Sequence, residues 1–228
     1  MRIQEKNMTK LYLFDLDGTI TASHPGITRS VRYALRKMNY PEVPLEELKP
    51  FIGPPLIPQF KEQCHMNEEQ ALQAVAFFRE RYSAVGKFES SVYPGIPEML
   101  RRLRDAGQKT GIASSKAEQF VREIVRHFQI DTCFDYIFGA AMDGSRVEKP
   151  DVIRFALEQS GYTGRPDRVI MVGDRKYDVE GAHAFGICAA GVTYGYGSRE
   201  ELVEAGADRI CGTVRELEDF LLEAADEK

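Results

Sequence analysis

The strongest chemical signature in the chain is Asp15-Leu16-Asp17-Gly18-Thr19, directly after the apolar run Leu11-Tyr12-Leu13-Phe14. At average residue usage a D-x-D-G-T string arises by chance at on the order of 10⁻⁵ per position. Residues two apart on an extended chain face the same way. Both carboxylates therefore point into the crevice beyond the strand's carboxyl end, where open α/β sheets bind ligands. Gly18 permits a sharp turn behind them. The plainer alternative is an Asp-Gly turn with Asp17 capping a helix. A second acidic pair lies in Gly173-Asp174-Arg175-Lys176-Tyr177-Asp178, where Asp174 closes another apolar run and Asp178 falls one helical turn on. Aspartates also favour helix N-termini, so capping stays open for this pair alone. Together with the first motif, a shared acidic cluster is the reading adopted.

Four carboxylates at one crevice repel each other and any incoming phosphate, so the cluster calls for a cation. Mg2+ suits hard oxygen ligands and keeps several waters, so two carboxylates and a carbonyl suffice. It would also neutralise an incoming phosphoryl group. The third element is Ser114-Ser115-Lys116, where a hydroxyl and free N–H groups at a helix start form an anion site. Ser115-Lys116-Ala117-Glu118 also fits an S-x-x-E capping box. Ser115 is therefore assigned mainly to capping and Ser114 to phosphate. The fourth is Lys149-Pro150, where proline at the first helical position leaves an ammonium at the sheet's carboxyl edge.

Positioning these groups requires a strand before them. Residues 10–14 are short, apolar and aromatic-rich, which suits a strand buried on both faces. Residues 109–113, 136–138, 168–172 and 187–191 read as further strands. Helices are expected over 96–106, 117–128, 151–160, 176–185 and about 213–224. This alternation means βαβ units and a parallel sheet. Residues 26–87 differ, with helical patterns and no convincing strand. Ile27, Val31, Ala34, Leu35 and Met38 share one helix face after Pro25, and Leu72, Val75, Phe78, Tyr82 and Val85 form a longer stripe. Between them lies a rigid, turn-rich stretch with Pro41, Pro44, Pro50 and Phe51-Ile52-Gly53-Pro54-Pro55. The expected fold is α/β: a Rossmann-like doubly wound parallel sheet core, residues 1–22 and 90–228. A small all-helical domain, residues 23–89, is inserted after the first strand.

Composition narrows the function classes. The 228 residues are 43% apolar and 29% charged, which is ordinary globular usage with length for a sizeable core. A net charge of −5 disfavours bulk attraction to nucleic acid or an anionic membrane. No apolar run approaches the ~18–20 residues of a membrane helix. The first ten residues lack an apolar signal core, and residues 1–9 read as a loosely ordered extension. Cys64, Cys133, Cys188 and Cys211 are scattered without C-x-x-C pairing, so reduced thiols and a cytoplasmic location are expected. Cys64-His65 has no second pair at ligand spacing and reads as incidental.

The four elements, in this order, resemble the haloacid dehalogenase superfamily of phosphohydrolases, over nearly the whole chain from about Lys10. Phe51-Ile52-Gly53-Pro54-Pro55, Tyr93-Pro94-Gly95-Ile96-Pro97 and Gly191-Val192-Thr193-Tyr194-Gly195-Tyr196-Gly197-Ser198 look like its phosphoglycolate phosphatase-like branch. Members of that branch carry a helical cap where the insertion falls here. The resemblance implies that Asp15 attacks phosphorus to form an aspartyl phosphate, and that Asp17 protonates the leaving oxygen and later activates water. It implies Mg2+ held by the Asp15 and Asp174 carboxylates and the Asp17 backbone carbonyl, with Asp178 completing the site. Ser114, Ser115, Lys149, Gly18 and Thr19 make the implied phosphate-binding set. Many relatives have Thr-Asn where Ser114-Ser115 stands, so the hydroxyl remains and the amide does not.

The implied activity is Mg2+-dependent hydrolysis of a small phosphorylated metabolite, such as phosphoglycolate or a nucleoside 5′-monophosphate. The expected assembly is a monomer or homodimer. Gly53 and Pro54 form a plausible pre-organised substrate loop. Arg29 either reaches a substrate anion or faces solvent. Phe51, Phe60, Phe77 and Phe78 read as cap core rather than a stacking platform. A haloacid dehalogenase is disfavoured because that chemistry does not require the acid Asp17 supplies. Two alternatives stay open: a phosphomutase of the β-phosphoglucomutase type, and a non-catalytic phosphate-binding regulator on the same fold.

Overall fold

The structure is a computed structural model that describes residues 9–226. The expected N-terminal extension therefore lies, apart from Thr9, outside the described residues. Six parallel strands form the central sheet, in the order β5 (Tyr136–Ala140), β4 (Lys109–Ala117), β1 (Leu11–Phe14), β6 (Val169–Gly173), β7 (Cys188–Val192) and β8 (Arg209–Cys211). Every residue of β1 is buried. Alternation along the strand sends its side chains to two different cores. Tyr12 and Phe14 pack with α4 (Ile96–Asp105), α5 (Glu118–His127) and α9 (Val214–Asp226). Leu11 and Leu13 pack with α6 (Lys149–Ser160) and α7 (Lys176–His183). Burial of each such side chain contributes about 1.5–3 kcal/mol. This is the doubly wound α/β arrangement expected. The chain leaves β1 toward one side of the sheet and returns to the other, so the switch-point crevice opens at its carboxyl end.

The helical segment is joined to the sheet through one small ribbon. Outgoing β2 (Thr21–Ala22) pairs antiparallel with returning β3 (Ser91–Val92). Between them run α1 (His24–Lys37), a 3₁₀ helix (Leu45–Phe51), α2 (Leu56–Cys64) and α3 (Glu68–Ala84). Pro25 sits in the first turn of α1, and Ile27, Val31, Ala34 and Leu35 make its buried face. A reciprocal capping box starts α3: Gln70 N–H donates to Asn67 Oδ1 at 2.9 Å, and Asn67 N–H donates to Gln70 Oε1 at 3.0 Å. Among the described residues no helix is long and apolar enough to cross a membrane.

Several elements differ from the sequence reading. The stripe expected on α3 is rotated: Leu72 is 52% and Val85 49% exposed, whereas Ala71, Ala74, Val75, Phe78 and Tyr82 are buried. Small alanines let α3 approach α1 closely, so they and not Leu72 face inward. β4 continues four residues beyond its expected end, because Ala117 pairs with Ala140 of β5 after a register shift. The short β2, β3 and β8, together with α2 and α8 (Arg199–Glu204), carry too little periodicity to be read from sequence.

Candidate active site

The first motif leaves β1 as an extended segment and then turns. Asp15 N–H donates to Val172 O at 2.9 Å, and Gly18 N–H donates to Thr21 O at 2.8 Å. Gly18 has φ +85°, and a Cβ there would stand 2.1 Å from Asp174 Oδ2. Only glycine allows the turn to lie against that carboxylate. Thr19 N–H is also spent within the turn, toward Leu16 O at 3.4 Å. Gly18 and Thr19 thus shape the turn and do not line the cavity described below.

Asp15, Asp174 and Asp178, all buried, bring one carboxylate oxygen each to within 4.8 Å of one another. Asp178 also accepts the Arg175 N–H at 3.1 Å. It therefore caps the start of α7 and joins the cluster, so the two sequence readings hold together. The cluster is short of positive charge. Lys149 Nζ stands 2.9 Å from Asp15 Oδ1 and 2.7 Å from Asp178 Oδ1, and donates to Ala113 O at 3.0 Å. Burial opposes the charge on Lys149, but the two carboxylates outweigh it and hold its pKa above the usual lysine range. Burial, then the Asp178 charge, pushes Asp174 well above the usual carboxylate range. Burial lifts Asp178 to about 6, against the pull of Lys149. Three carboxylates lie around one ammonium, which pairs with Asp15 and Asp178 and leaves Asp174 without a cationic partner among the described residues. Asp174 Oδ2 accepts the Tyr196 N–H at 2.7 Å, while its buried Oδ1 has no hydrogen-bond partner among the described residues. A divalent cation fits this all-oxygen donor set.

Asp15 and Asp17 also face a cavity of about 610 Å3. Ser114, Ser115, Gly53 and Pro54 also line it. Phe51, Leu56, Val75, Phe78 and Tyr82 of the helical segment and Phe120 of α5 supply apolar lining, and Arg79, Lys116 and Glu148 line it too. Phe51 packs on Phe60 at 4.9 Å and Phe78 stacks on Tyr82 at 5.1 Å. The cap-core role expected of Phe51 and Phe78 is met, and the same two rings are also cavity wall. Gly53, Pro54, Lys149 and Asp178 line an adjoining recess of about 270 Å3.

One sequence expectation is corrected, and of the two alternatives for Arg29 the solvent-facing one holds. Ser115 does not cap α5: it lies within β4, and the residue at the helix start is Ala117, with no side-chain cap. The Glu118 carboxylate instead pairs with Arg122 at 2.8 Å and accepts the Gly139 N–H at 3.3 Å. Arg29 does not reach the cavity. It pairs at 3.0 Å with Glu89, in the bend just before β3, and Arg81 binds the same carboxylate at 2.7 Å. Ser114 is buried, and its Oγ accepts the Lys116 N–H at 3.3 Å.

The sequence reading passed over Lys116. Its Nζ lies 2.8 Å from Asp17 Oδ2 and donates to Tyr82 Oη at 2.6 Å. The signal available was its position two residues after Ser114 at the sheet's carboxyl edge, which the capping pattern concealed.

A doubly wound sheet with paired aspartates at its switch point and a helical layer over them defines the haloacid dehalogenase class. The model of the haloacid dehalogenase-like hydrolase family matches residues 12–192, and the chain belongs to that family. A 5′-nucleotidase of Pseudomonas aeruginosa is 40% identical over 209 residues, 92% of this chain and 94% of that protein. Tyrosine-protein kinase PtkA of Mycobacterium tuberculosis is 40% identical over 216 residues, 93% of this chain and 72% of that protein. Among solved structures, a predicted phosphatase from Clostridium acetobutylicum matches with a TM-score of 0.91 at 43% identity, covering 94% of this chain and 99% of that one.

Proposed function

We propose that the chain is a Mg2+-dependent phosphatase that hydrolyses phosphomonoesters with a bulky, largely apolar leaving group, nucleoside 5′-monophosphates foremost. The observation that carries this reading is the carboxylate pair Asp15 and Asp17 in a cavity of about 610 Å3 whose lining is largely apolar and includes Phe51, Phe78, Tyr82 and Phe120. A two-carbon acid such as glycolate would leave most of that lining uncovered. A nucleobase would cover it, at about 25 cal/mol gained per Å2 of apolar surface removed from water.

In the reaction proposed, an Asp15 oxygen attacks phosphorus and the ester oxygen departs as the alcohol, protonated by Asp17. Water then attacks the aspartyl phosphate, Asp17 takes its proton, and the Asp15 carboxylate is released with inorganic phosphate. Ser114 and Lys149 hold the phosphoryl oxygens, whose negative charge must be stabilised as the group transfers. When bound by Asp15, Asp174, Asp178 and the Asp17 backbone carbonyl, Mg2+ supplies the positive charge this cluster lacks. The helical layer keeps bulk water from the carboxylate pair.

The test is phosphate release, compared by kcat/KM with Mg2+ and with EDTA. The panel holds nucleoside 5′-monophosphates, phosphotyrosine, phosphoglycolate, hexose phosphates and pyrophosphate. Nucleoside monophosphates are expected to exceed phosphoglycolate by about tenfold or more, the scale on which pocket contacts discriminate. A preference for phosphoglycolate overturns the substrate assignment. Folded, Mg2+-binding protein that releases no phosphate from any of them favours the phosphomutase or the regulator instead.

A further inference from the structure

Lys116 is a buried ammonium at the reacting end of the cavity, and the roles assigned so far leave it unused. It comes from β4, and its side chain is 9% exposed. Its two acceptors belong to different layers of the molecule: Asp17 Oδ2 in the sheet crevice at 2.8 Å, and Tyr82 Oη of α3 at 2.6 Å. Nζ also lies 4.6 Å from the centre of the Tyr82 ring. The ring itself has little freedom. It stacks on Phe78 at 5.1 Å and meets Phe120 edge-on at 5.5 Å. Burial pushes its hydroxyl up to about 12, so it remains a neutral phenol. The Tyr82 oxygen thus fixes the ammonium, and the ammonium fixes one oxygen of Asp17. The other, Asp17 Oδ1, is buried and has no hydrogen-bond partner among the described residues.

We propose that Lys116 is a positioning residue that holds Asp17 by Oδ2, leaves Oδ1 as the atom that exchanges protons, and does so fully only while Tyr82 of the helical layer is docked. This rests on the acid–base role proposed for Asp17. The second half of the reaction depends on it most. In the first half the leaving alcohol is bound and itself helps to orient Asp17. In the second half the partner is a single water, and only protein groups orient the carboxylate. The water oxygen attacks phosphorus, its proton passes to Asp17 Oδ1, and the bond from phosphorus to the Asp15 oxygen breaks. Opening of the helical layer withdraws Tyr82 and slackens the hold, so hydrolysis of the phosphoenzyme is tied to the closed arrangement.

Rapid-mixing hydrolysis of p-nitrophenyl phosphate with Mg2+ tests this, because nitrophenolate needs no acid to depart. Lys116→Met should release a first equivalent of nitrophenol within about threefold of the wild-type rate. Its steady state should then be slower by about 10²-fold, the low end of a general base's contribution, with phosphoenzyme accumulating. Lys116→Arg should recover part of the loss. Tyr82→Phe keeps the ring and removes only the hydroxyl, so it should slow the steady state in the wild-type background and add nothing to Lys116→Met. An unchanged steady state in Lys116→Met overturns the proposal. So does an equal loss in both phases without phosphoenzyme. A full Tyr82→Phe effect in both backgrounds removes the link to the helical layer. Wild-type protein that releases no nitrophenol would instead overturn the phosphatase reading.

Discussion

Asp174→Asn should stabilise the metal-free protein, the reverse of what a polar change at a fully buried position ordinarily does. Asp174, Asp15 and Asp178 bring oxygens within 4.8 Å of one another with a single ammonium among them. At that separation and an effective dielectric constant of about 20, each carboxylate pair costs about 3.5 kcal/mol. Part of this is shed by protonation, since Asp174 is pushed well above the usual carboxylate range. Asparagine keeps the oxygen that accepts the Tyr196 N–H, and its amide can donate to the neighbouring carboxylates. A net gain of about 1–3 kcal/mol at neutral pH follows, or about 2–12 °C in Tm for a chain of this size.

The pH dependence carries the same sign. A carboxyl group whose folded pKa is raised contributes stability below its unfolded value, and that contribution is lost as pH rises through the folded one. Metal-free wild type should therefore lose stability above about pH 4, with Asp178 accounting for the part lost up to about 6. The variant should converge with wild type at about pH 4 and below, and stand above it at pH 7.5. Mg2+ should close or reverse the gap, adding about 2.7 kcal/mol to wild type at a hundred times its Kd and almost nothing to the variant. Thermal unfolding at both pH values, with EDTA and with Mg2+, reads all four quantities. A variant less stable than wild type at pH 7.5 in EDTA, with an intact Mg2+ response, would refute the charge argument.

Three further outcomes are expected. Asp15→Asn should abolish turnover and phosphoenzyme formation, whereas Asp17→Asn should slow turnover by about 10²–10⁴-fold and keep the Mg2+-induced rise in Tm. Gly18→Ala should cost about 2 kcal/mol or more in urea unfolding, because it sets a Cβ 2.1 Å from Asp174 Oδ2 at φ +85°. Arg29→Ala should leave kcat/KM within about twofold and lower stability by at most about 1 kcal/mol, since its ion pair with Glu89 is nearly half exposed; a large loss of activity would return Arg29 to the site.

The first strand and its two aspartates were legible because everything that specifies them is local. An apolar run, a two-residue repeat and a glycine at the turn define an extended segment that ends in paired carboxylates. The buried face of α1 was legible for the same reason, in a spacing that repeats each turn. The face of α3 was not. Alanines and leucines both satisfy a helical stripe, and close packing against α1 chose Ala71 and Ala74 over Leu72. Ser115 was misread because the local S-x-x-E pattern is a good capping signal, and only pairing with β5 keeps the chain extended through Ala117. Arg29 was undecided because its partner Glu89 is sixty residues away.

By itself, then, the sequence determined the acidic motifs, the strand–helix alternation that carries them and the place of the helical insertion. These are short-range patterns, and each residue's neighbours along the chain state them. The tertiary structure decided how charge is shared and what faces the reacting groups. It set one ammonium among three carboxylates, and joined Asp17 to Tyr82 through Lys116. Those ion pairs and hydrogen bonds bridge residues that are 29 or more positions apart. Their energies depend on separation and burial in space, and no spacing along the chain encodes either.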